Sequence, residues 1–354
     1  MMRIDTLTAD DPRWMEALGR LNHDFYHQPS YVRLEAQRIN ATPEALLVTD
    51  KERLFFVPYL LRSCNLLFHE MQEPVFDAVS PYGYPGLLMS DTGRDANFAL
   101  AGMAALRETL AKRGVCSAFL RMHPIHGHDF TTLFPSCSFH DSSQTVAIDL
   151  QSSDVDILKQ MRVGHQRTFK KCKSLGFTAR IVSLLDVFEE FVDLYKETMD
   201  RVQAADAYYF DKEYFRSLAL LPGVHCCVVE SGSTIAAACV LFKCDGIVNA
   251  HLGGTRTEFL SRSPFTMVLT EGIFWAKSQG NRWALLGGGV GGREDSLFHF
   301  KAGFSDSRFP FLTSRLIIND ALYHQMVGFK AQSTNVAPET VLESTFFPAY
   351  RATL

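Results

Sequence analysis

The same order of predicted elements occurs in both halves of this chain, which strongly limits the folds that it can adopt. In the first half, the apolar pattern predicts two strands around a turn over residues 45–62, a helix over 98–112 and a buried strand over 116–122. An extended aromatic segment, SPYGYPG at residues 80–86, separates the hairpin from the helix. The helix is followed by Gly114, a common C-cap residue.

The second half repeats this order. A hairpin is predicted over residues 225–243, a strand over 247–254, a helix over 264–278 and a strand over 283–286. The junctions of helix and last strand are also alike, LAKRGVCSAFL against WAKSQGNRWALL. We interpret the pattern as an internal duplication of a unit larger than any solenoid repeat, each copy being an α/β module with a mixed sheet.

The length of the chain also favours two domains, because 354 residues exceed a single typical core. The polar segment QSSDVD, residues 151–156, is the natural boundary. We therefore predict an N-terminal domain over residues 1–152, a C-terminal domain with the active site over 153–330, and a tail over 331–354 that packs back on the body.

Charge and hydropathy exclude several function classes. No window approaches the length of a membrane span, and the first residues, MMRIDTLTADDPRW, lack the apolar region of a secretory signal, so a cytoplasmic protein is expected. The net charge of −4 argues against DNA binding. The eight cysteines form no C-x-x-C pair and are predicted to be buried, reduced thiols.

The stretch with the most chemical information is RWALLGGGVGGREDSLFHFKAGF, residues 282–304. A buried strand ends in a run of glycines, and Asp295 then opens a short helix that carries Phe300 and Lys301. Glycines let a backbone approach a ligand closely, and a lysine among aromatic residues can hold a phosphate or a developing oxyanion. The predicted binding glycines are Gly287, Gly288 and Gly289.

Two other interpretations of this stretch exist. The glycines can form an ordinary turn from strand to helix, with Lys301 extending along an apolar surface. Gly287, Gly289 and Gly292 also satisfy the dinucleotide fingerprint G-x-G-x-x-G. We reject the fingerprint, because the helix is short and the next strand-like run has no acidic residue at its end before Asp320.

Two helical segments precede the second hairpin. The first, residues 155–174, is basic and includes Arg167, and no acidic residue occurs between Asp156 and Asp186. It is either a patch for the phosphates of a nucleotide, a lipid-linked sugar or RNA, or a solvated helix face. The second, residues 184–220, gathers aromatic residues with polar tips around one arginine, and its candidate ligand-binding residues are Arg201, Tyr208 and Tyr209.

A histidine-rich loop follows the first-half strand that ends at Met122. His123, His126 and His128 have a spacing that can reach one metal ion, but only Asp129 is placed near them as a further ligand. We therefore predict no metal site.

Several of these motifs, taken in order, resemble the FemAB/FemX-like family of acyltransferases, which combine two GNAT folds. The likeness is strongest over residues 156–313. It rests on the R-x-x-x-K spacing of Arg167 and Lys171 before LGFTARIV, the series Tyr195, Thr198, Arg201 with a downstream EYF, the helix SPFTMVLTEGIFWAKSQG, LGGG followed by LFHFKAGF, and SPYGYPG in the first half.

The resemblance implies two tandem GNAT-like domains and acyl transfer to an amine. Well-understood members use an aminoacyl-tRNA donor and a peptidoglycan-precursor acceptor, and others are similar to acyl-CoA N-acetyltransferases near polysaccharide biosynthesis. We expect an N-acyltransferase that acts on a small-molecule amine of a cell-envelope precursor or polysaccharide-type acceptor, for instance a phosphate-bearing sugar. A non-catalytic small-ligand-binding protein of the same fold is the alternative, and a nucleotide-dependent dehydrogenase is a weaker third possibility.

The resemblance also assigns roles to residues. Lys301 would match the lysine that steadies the donor ester or its oxyanion, with Phe300 beside it. Arg201 would match an arginine that contacts the acceptor phosphates, and Tyr208 or Tyr209 would lie on the acceptor sugar.

The donor is left open as aminoacyl-tRNA or acetyl-CoA, and no tightly bound cofactor is expected. The segment RTEFLSRSPF has none of the glycines of the GNAT pyrophosphate loop, which weakens coenzyme A as the donor. The long helical hairpin that some members use near tRNA is also absent from the sequence, which weakens tRNA in part.

The acceptor amine must lose a proton, and His251 and Asp295 are the candidate bases. The oxyanion would be held by a backbone N–H of residues 252–254 or by Lys301. No covalent intermediate is expected, since the sequence has no G-x-S-x-G elbow and no cysteine with an obvious basic partner.

Overall fold

The computed structural model describes residues 2–68, 73–127, 129–135 and 138–353. His128 of the histidine-rich loop and Cys137 lie outside the described residues. The chain divides into two compact units, Met1–Ser142 with Phe311–Leu354, and Ser143–Pro310.

The described residues form thirteen strands and twelve α-helices. The strands are β1 Arg3–Thr8, β2 Thr42–Asp50, β3 Arg53–Ser63, β4 Phe76–Val79, β5 Leu88–Met89, β6 Val115–Arg121, β7 His140–Asp149, β8 Thr178–Val182, β9 Val224–Ser231, β10 Thr234–Cys244, β11 Ile247–Thr255, β12 Trp283–Gly287 and β13 Arg308–Ile317. The helices are α1 Pro12–Leu18, α2 Pro29–Arg38, α3 Ala96–Lys112, α4 Phe130–Leu133, α5 Asp154–Gln160, α6 Val163–Ser174, α7 Phe188–Arg201, α8 Lys212–Ala219, α9 Phe265–Ser278, α10 Ser296–Ala302, α11 Asp320–Thr334 and α12 Pro338–Leu342.

The sheets of the two units have the same topology. In the first unit the strand order is β1-β2-β3-β4-β6-β13, with β5 beside β3. In the second unit the order is β8-β9-β10-β11-β12-β7. Each sheet contains one parallel pair, β4 with β6 and β11 with β12, and the chain crosses between these partners through α3 or α9. The predicted duplication and the mixed α/β fold are therefore confirmed.

The last strand of each sequence repeat pairs with the sheet formed by the other repeat. β7 follows β6 in the chain but pairs with β12, Val146–Asp149 lying antiparallel to Trp283–Gly287. β13 follows β12 but pairs with β6 through Thr313–Ile317. Because of this exchange, residues 143–152 lie in the second compact unit and residues 311–330 in the first. The boundaries predicted at residues 152 and 330 mark the ends of the repeated sequence modules. They remain predictions of where those modules end.

Helices cover both faces of the second unit's sheet. Successive residues of a strand point to opposite faces, and on β11 a Cβ at Gly253 would meet the ring of Phe265 in α9, whereas one at Gly254 would collide with Thr198 in α7. The Thr198 hydroxyl accepts a hydrogen bond from the Thr255 N–H (3.1 Å). Two consecutive glycines thus allow both helices to approach β11 closely.

The C-terminal segment is part of the core of the first unit. Tyr350 is buried, and its hydroxyl lies 3.0 Å from Cys116 Sγ, 2.8 Å from Ser117 Oγ and 3.1 Å from the Asp77 carboxylate. Arg351 forms an ion pair with the same buried Asp77. A fully buried carboxylate needs such partners, so this contact ties the end of the chain to β4 and β6.

Among the described helices, none has both the length and the apolar character needed to cross a bilayer.

Candidate functional site

The site is built where the parallel strands of the second unit separate. β11 and β12 pair for only three residues, Ile247–Asn249 with Trp283–Leu285. Beyond these pairs β11 continues along β10, with a bulge opposite Val240, and β12 continues along β7. Beyond Asn249 and Leu285 the two strands no longer pair with each other, and their carboxyl ends define the candidate site.

The glycine run turns the chain sharply at the end of β12. Gly287 has φ +76°, and a Cβ at Gly289 would collide with the Arg293 carbonyl and the Asp295 carboxylate. Asp295 closes the loop, because its Oδ2 accepts from the Val290 N–H (3.0 Å) and its Oδ1 caps α10 through the Phe298 N–H (2.9 Å).

These contacts define the charge state of Asp295. Burial acts to raise its pKa, but the backbone N–H groups of Phe298, Val290 and Leu297, together with Lys301, outweigh burial and hold the pKa below its ordinary value. The structure therefore places Asp295 as an ionised helix cap that fixes the shape of the loop. This geometry leaves its predicted role as a base without direct support.

Lys301 is a residue of α10 and lies beside the glycine loop. Its Nζ donates to the Gly288 carbonyl at 2.7 Å, and burial lowers its pKa to about 8, although Cys239 and Asp295 act in the opposite direction. A lysine with such a pKa is still mostly protonated at neutral pH but gives up its proton far more readily than an exposed one.

Cys239 interacts electrostatically with Lys301 and accepts a hydrogen bond from the backbone of β11. The thiol is buried on β10, and burial raises its pKa to about 12, opposed by Lys301 and by the His251 backbone N–H. The His251 ring stacks on Phe242 at 4.1 Å between ring centroids. Cys239 was not among the predicted site residues, and nothing in its sequence context distinguishes it from other buried thiols.

The start of α6 holds α10 in place. His165 Nε2 donates to the Phe300 carbonyl (2.8 Å), and its Nδ1 accepts from Arg162 Nε (3.3 Å). Burial lowers the pKa of His165, and the nearby Arg162 acts in the same direction, so the ring is neutral at pH 7. A Cβ at Gly303 would lie 2.6 Å from His165 Nε2, so the close contact requires glycine there.

The predicted acceptor-binding residues lie around the end of α7. Arg201 donates to the Thr257 hydroxyl (3.0 Å), just beyond the carboxyl end of β11. The Tyr208 carbonyl accepts from the Tyr195 hydroxyl (2.8 Å), and Tyr209 is exposed, its pKa raised by desolvation and by a hydrogen bond to Asp200. Arg201 and Lys301 thus donate to Thr257 and Gly288, the residues just beyond the carboxyl ends of the two parallel strands.

Two further predicted site residues, Phe300 and Arg167, lie on α10 and α6. Phe300 packs against His165 and Phe304 next to Lys301, with ring centroids 5.0 and 5.5 Å apart. Arg167 is exposed on the outer face of α6.

In the first unit, the histidine-rich loop forms protein contacts. His123 Nε2 donates to the buried Asp24 carboxylate (2.9 Å), and Asp129 pairs with Arg94. No group of three potential metal ligands occurs among the residues that the structure describes.

Comparison with known proteins agrees with this architecture. Residues 159–301 match a family model described as an acetyltransferase (GNAT) domain. FemX is 12% identical, with a TM-score of 0.68 over 91% of this chain and 99% of that one. A tandem GNAT protein from the clavulanic acid biosynthesis pathway is 10% identical, with a TM-score of 0.51 over 89% and 98%.

A further solved structure has the same fold. The C-terminal domain of a putative lysylphosphatidylglycerol synthetase from Agrobacterium fabrum is 12% identical, with a TM-score of 0.52 over 87% of this chain and 91% of that one. No curated protein matches the sequence.

Residues 159–301 are therefore similar to the GNAT acetyltransferase domain. More particularly, the two units have the double GNAT fold seen in FemX and in the tandem GNAT protein, as the motifs predicted. The mixed sheets contain no doubly wound parallel arrangement within the described residues, which removes the support for a dehydrogenase.

Proposed function

We propose that this protein transfers an acyl or aminoacyl group from an activated donor to an amine of a cell-envelope precursor or polysaccharide-type acceptor. The observation that carries the proposal is the position of Lys301, whose ammonium donates to the Gly288 carbonyl of the glycine loop, just beyond the point where β11 and β12 separate.

The geometry supports a direct transfer. The acceptor nitrogen attacks the donor carbonyl carbon, and a tetrahedral oxyanion forms where the two strands separate. A backbone N–H of residues 252–254 and the Lys301 ammonium are suited to stabilise that oxyanion. The C–O or C–S bond to the leaving group then breaks, and Lys301, with a pKa of about 8, can supply a proton to the departing atom.

We propose His251 as the group that removes the proton from the acceptor amine. It lies on the bulged part of β11, and its backbone N–H contacts the thiol that neighbours Lys301. Asp295 has both carboxylate oxygens engaged by backbone N–H groups, so in this proposal it shapes the loop.

The start of α9 supports an aminoacyl ester over coenzyme A as the donor. In the first turn of this helix the Thr266 and Met267 N–H groups donate to the carbonyls of Ser263 and Pro264. Ser263 adopts the left-handed conformation. These N–H groups are therefore not directed at a ligand, whereas a pyrophosphate cradle requires free ones.

The acceptor side is proposed to be formed by Arg201, Tyr208 and Tyr209. The guanidinium of Arg201 is partly exposed and suits a phosphate, and the exposed ring of Tyr209 suits a sugar face.

The proposal is tested with both donors. Acetyl-CoA and alanyl-tRNA are each offered to the purified protein with glucosamine and with a lysine-containing peptide as acceptors, and products are followed by mass spectrometry. Binding of acetyl-CoA is measured separately by calorimetry. We expect transfer from one donor, and a loss of roughly 10²–10³ in kcat for Lys301→Met, the usual effect of removing an oxyanion-stabilising group.

The control is Lys243→Met, at a lysine whose Nζ lies 3.5 Å from the Gln279 side chain. It should retain full activity. Full activity of Lys301→Met would refute the assigned role. Binding of a donor without transfer to any amine would instead favour a non-catalytic ligand-binding protein.

A further inference from the structure

Helix α6 has two chemically different sides. The inner side carries His165, Phe169 and Cys172, which are buried within the second unit. The opposite side presents Val163, Arg167, Lys170, Lys171 and Ser174, all of them exposed. Their spacing of three and four residues places them together on one helix face.

The three cations on this outer face have no carboxylate partner in the described part of the chain. The next lysine, Lys173, differs, because its ammonium pairs with Glu271 at 3.0 Å. No acidic residue occurs between Asp156 and Asp186, although the whole chain has a net charge of −4. Arg167, Lys170 and Lys171 therefore form a local positive surface on an acidic protein.

Apolar side chains lie at both ends of this surface. Val163, at the first position of α6, is 59% exposed, and Leu175, just after the helix, is 44% exposed. The aromatic residue of the helix, Phe169, is buried and offers no ring on which a base could stack. Cations flanked by exposed aliphatic groups match a phospholipid headgroup layer better than a nucleic acid.

We propose that the outer face of α6 docks onto an anionic phospholipid surface. The cations attract the headgroup phosphates, and Val163 and Leu175 enter the boundary of the acyl chains. Since Arg162 and His165 at the start of the same helix contact α10, docking would bring the Lys301 site close to the membrane. The inference does not depend on the proposed reaction, but it would suit an amine acceptor held at a membrane.

The test is sedimentation of the full chain with vesicles. One set is phosphatidylcholine alone, and the other contains about one third phosphatidylglycerol, at low and at physiological salt. We expect salt-sensitive binding to the anionic vesicles only. Each cation near such a surface contributes about fivefold, so the triple variant Arg167→Gln/Lys170→Gln/Lys171→Gln should lose binding by about 100-fold.

A matched variant removes the same charge elsewhere. Lys51, Arg107 and Lys112 are exposed cations of the first unit, and changing all three to Gln should leave vesicle binding almost unchanged. Val163→Ser should weaken binding at physiological salt, where the apolar contact matters more. All variants are checked for unchanged thermal unfolding, because the altered side chains are on the surface.

Three results would overturn the proposal. The first is an equal loss of vesicle binding in both triple variants. The second is binding to vesicles of phosphatidylcholine alone that the α6 substitutions do not change. The third is a wild-type protein that does not bind vesicles but binds a transfer RNA, with that binding lost in the α6 triple variant. Lys301→Met should bind vesicles normally, so failure of docking and failure of the proposed reaction are distinguishable.

Discussion

At the scale of single residues, Lys301 shows how its surroundings change a common side chain. Its sequence context, a lysine after Phe300 and a glycine run, marks it as a candidate site residue. The structure adds that burial brings its pKa to about 8 and that its ammonium is held by one backbone carbonyl. A group of this kind is destabilising when charged, which makes it a candidate for function and gives it a measurable pH signature.

We predict that the stability of the protein depends on the titration of Lys301. The unfolded chain binds this proton up to a pKa near 10.5, but the folded chain releases it near pH 8. The free energy of unfolding should therefore rise between about pH 8 and pH 10.5, by on the order of 3 kcal/mol from this group. Below pH 8 both states are protonated, and the cost of the buried charge is constant.

The measurement is urea unfolding of the wild type and of Lys301→Met at several pH values in that interval. The variant should be the more stable protein at neutral pH, and the difference should shrink as the pH rises. The difference in free energy of unfolding between the two proteins is used, because the titration of the cysteines and tyrosines contributes to both and cancels. Parallel stability curves for the two proteins would contradict the assigned pKa.

At the scale of elements, the orientation of α10 depends on α6. The helix has only seven residues, too few to be stable alone, and the neutral His165 fixes it through the Phe300 carbonyl. His165 is thus a positioning residue for Lys301. The sequence around His165 indicates only a basic segment, because the carbonyl that His165 binds is 135 residues away.

We predict that His165→Phe lowers kcat by at least about tenfold and leaves KM for the donor nearly unchanged. The substitution removes the His165 donor from the Phe300 carbonyl, which then keeps only the Gly303 N–H, and the loss of one such hydrogen bond costs about 0.5–1.5 kcal/mol of stability. His165→Gln keeps an N–H donor of similar reach and should restore part of the rate. Steady-state kinetics with chemical denaturation measures both effects. A Gln variant no better than Phe would indicate a role in packing alone.

At the scale of the whole molecule, the exchanged last strands decide which segments can fold alone. The fragment 143–310 holds β7 and β12 together, so its sheet is complete. The fragment 153–330, which corresponds to the predicted C-terminal domain, lacks β7 and leaves the edge of β12 unpaired. An uncovered edge of this kind favours aggregation.

We predict that fragment 143–310 is a cooperatively folded monomer and that fragment 153–330 is aggregated or only partly folded. Size-exclusion chromatography, thermal unfolding and the dispersion of amide NMR signals would compare them. Equal folding of the two fragments would show that β7 contributes little to the second unit.

The two features that act on Lys301, the glycine loop and Cys239, were predicted unequally well from sequence. The glycine loop was predicted because a run of glycines is a local signal of a tight turn. In the structure, Gly287 has a positive φ and a Cβ at Gly289 would collide with its neighbours. Cys239 was missed, because its electrostatic interaction with Lys301 depends on the folded arrangement of two distant segments and leaves no trace in the local pattern.

The sequence by itself determined the repeated order of strands and helices, the likeness to double GNAT proteins and the segment that carries Lys301. These features follow from periodicity and turn chemistry, which act over a few neighbouring residues. Only the tertiary structure decided the exchange of β7 and β13, the lowered pKa of Lys301 and the contact of His165 with α10. Strand pairing, burial and such hydrogen bonds join groups that are far apart in the chain, so their free energies depend on the folded arrangement.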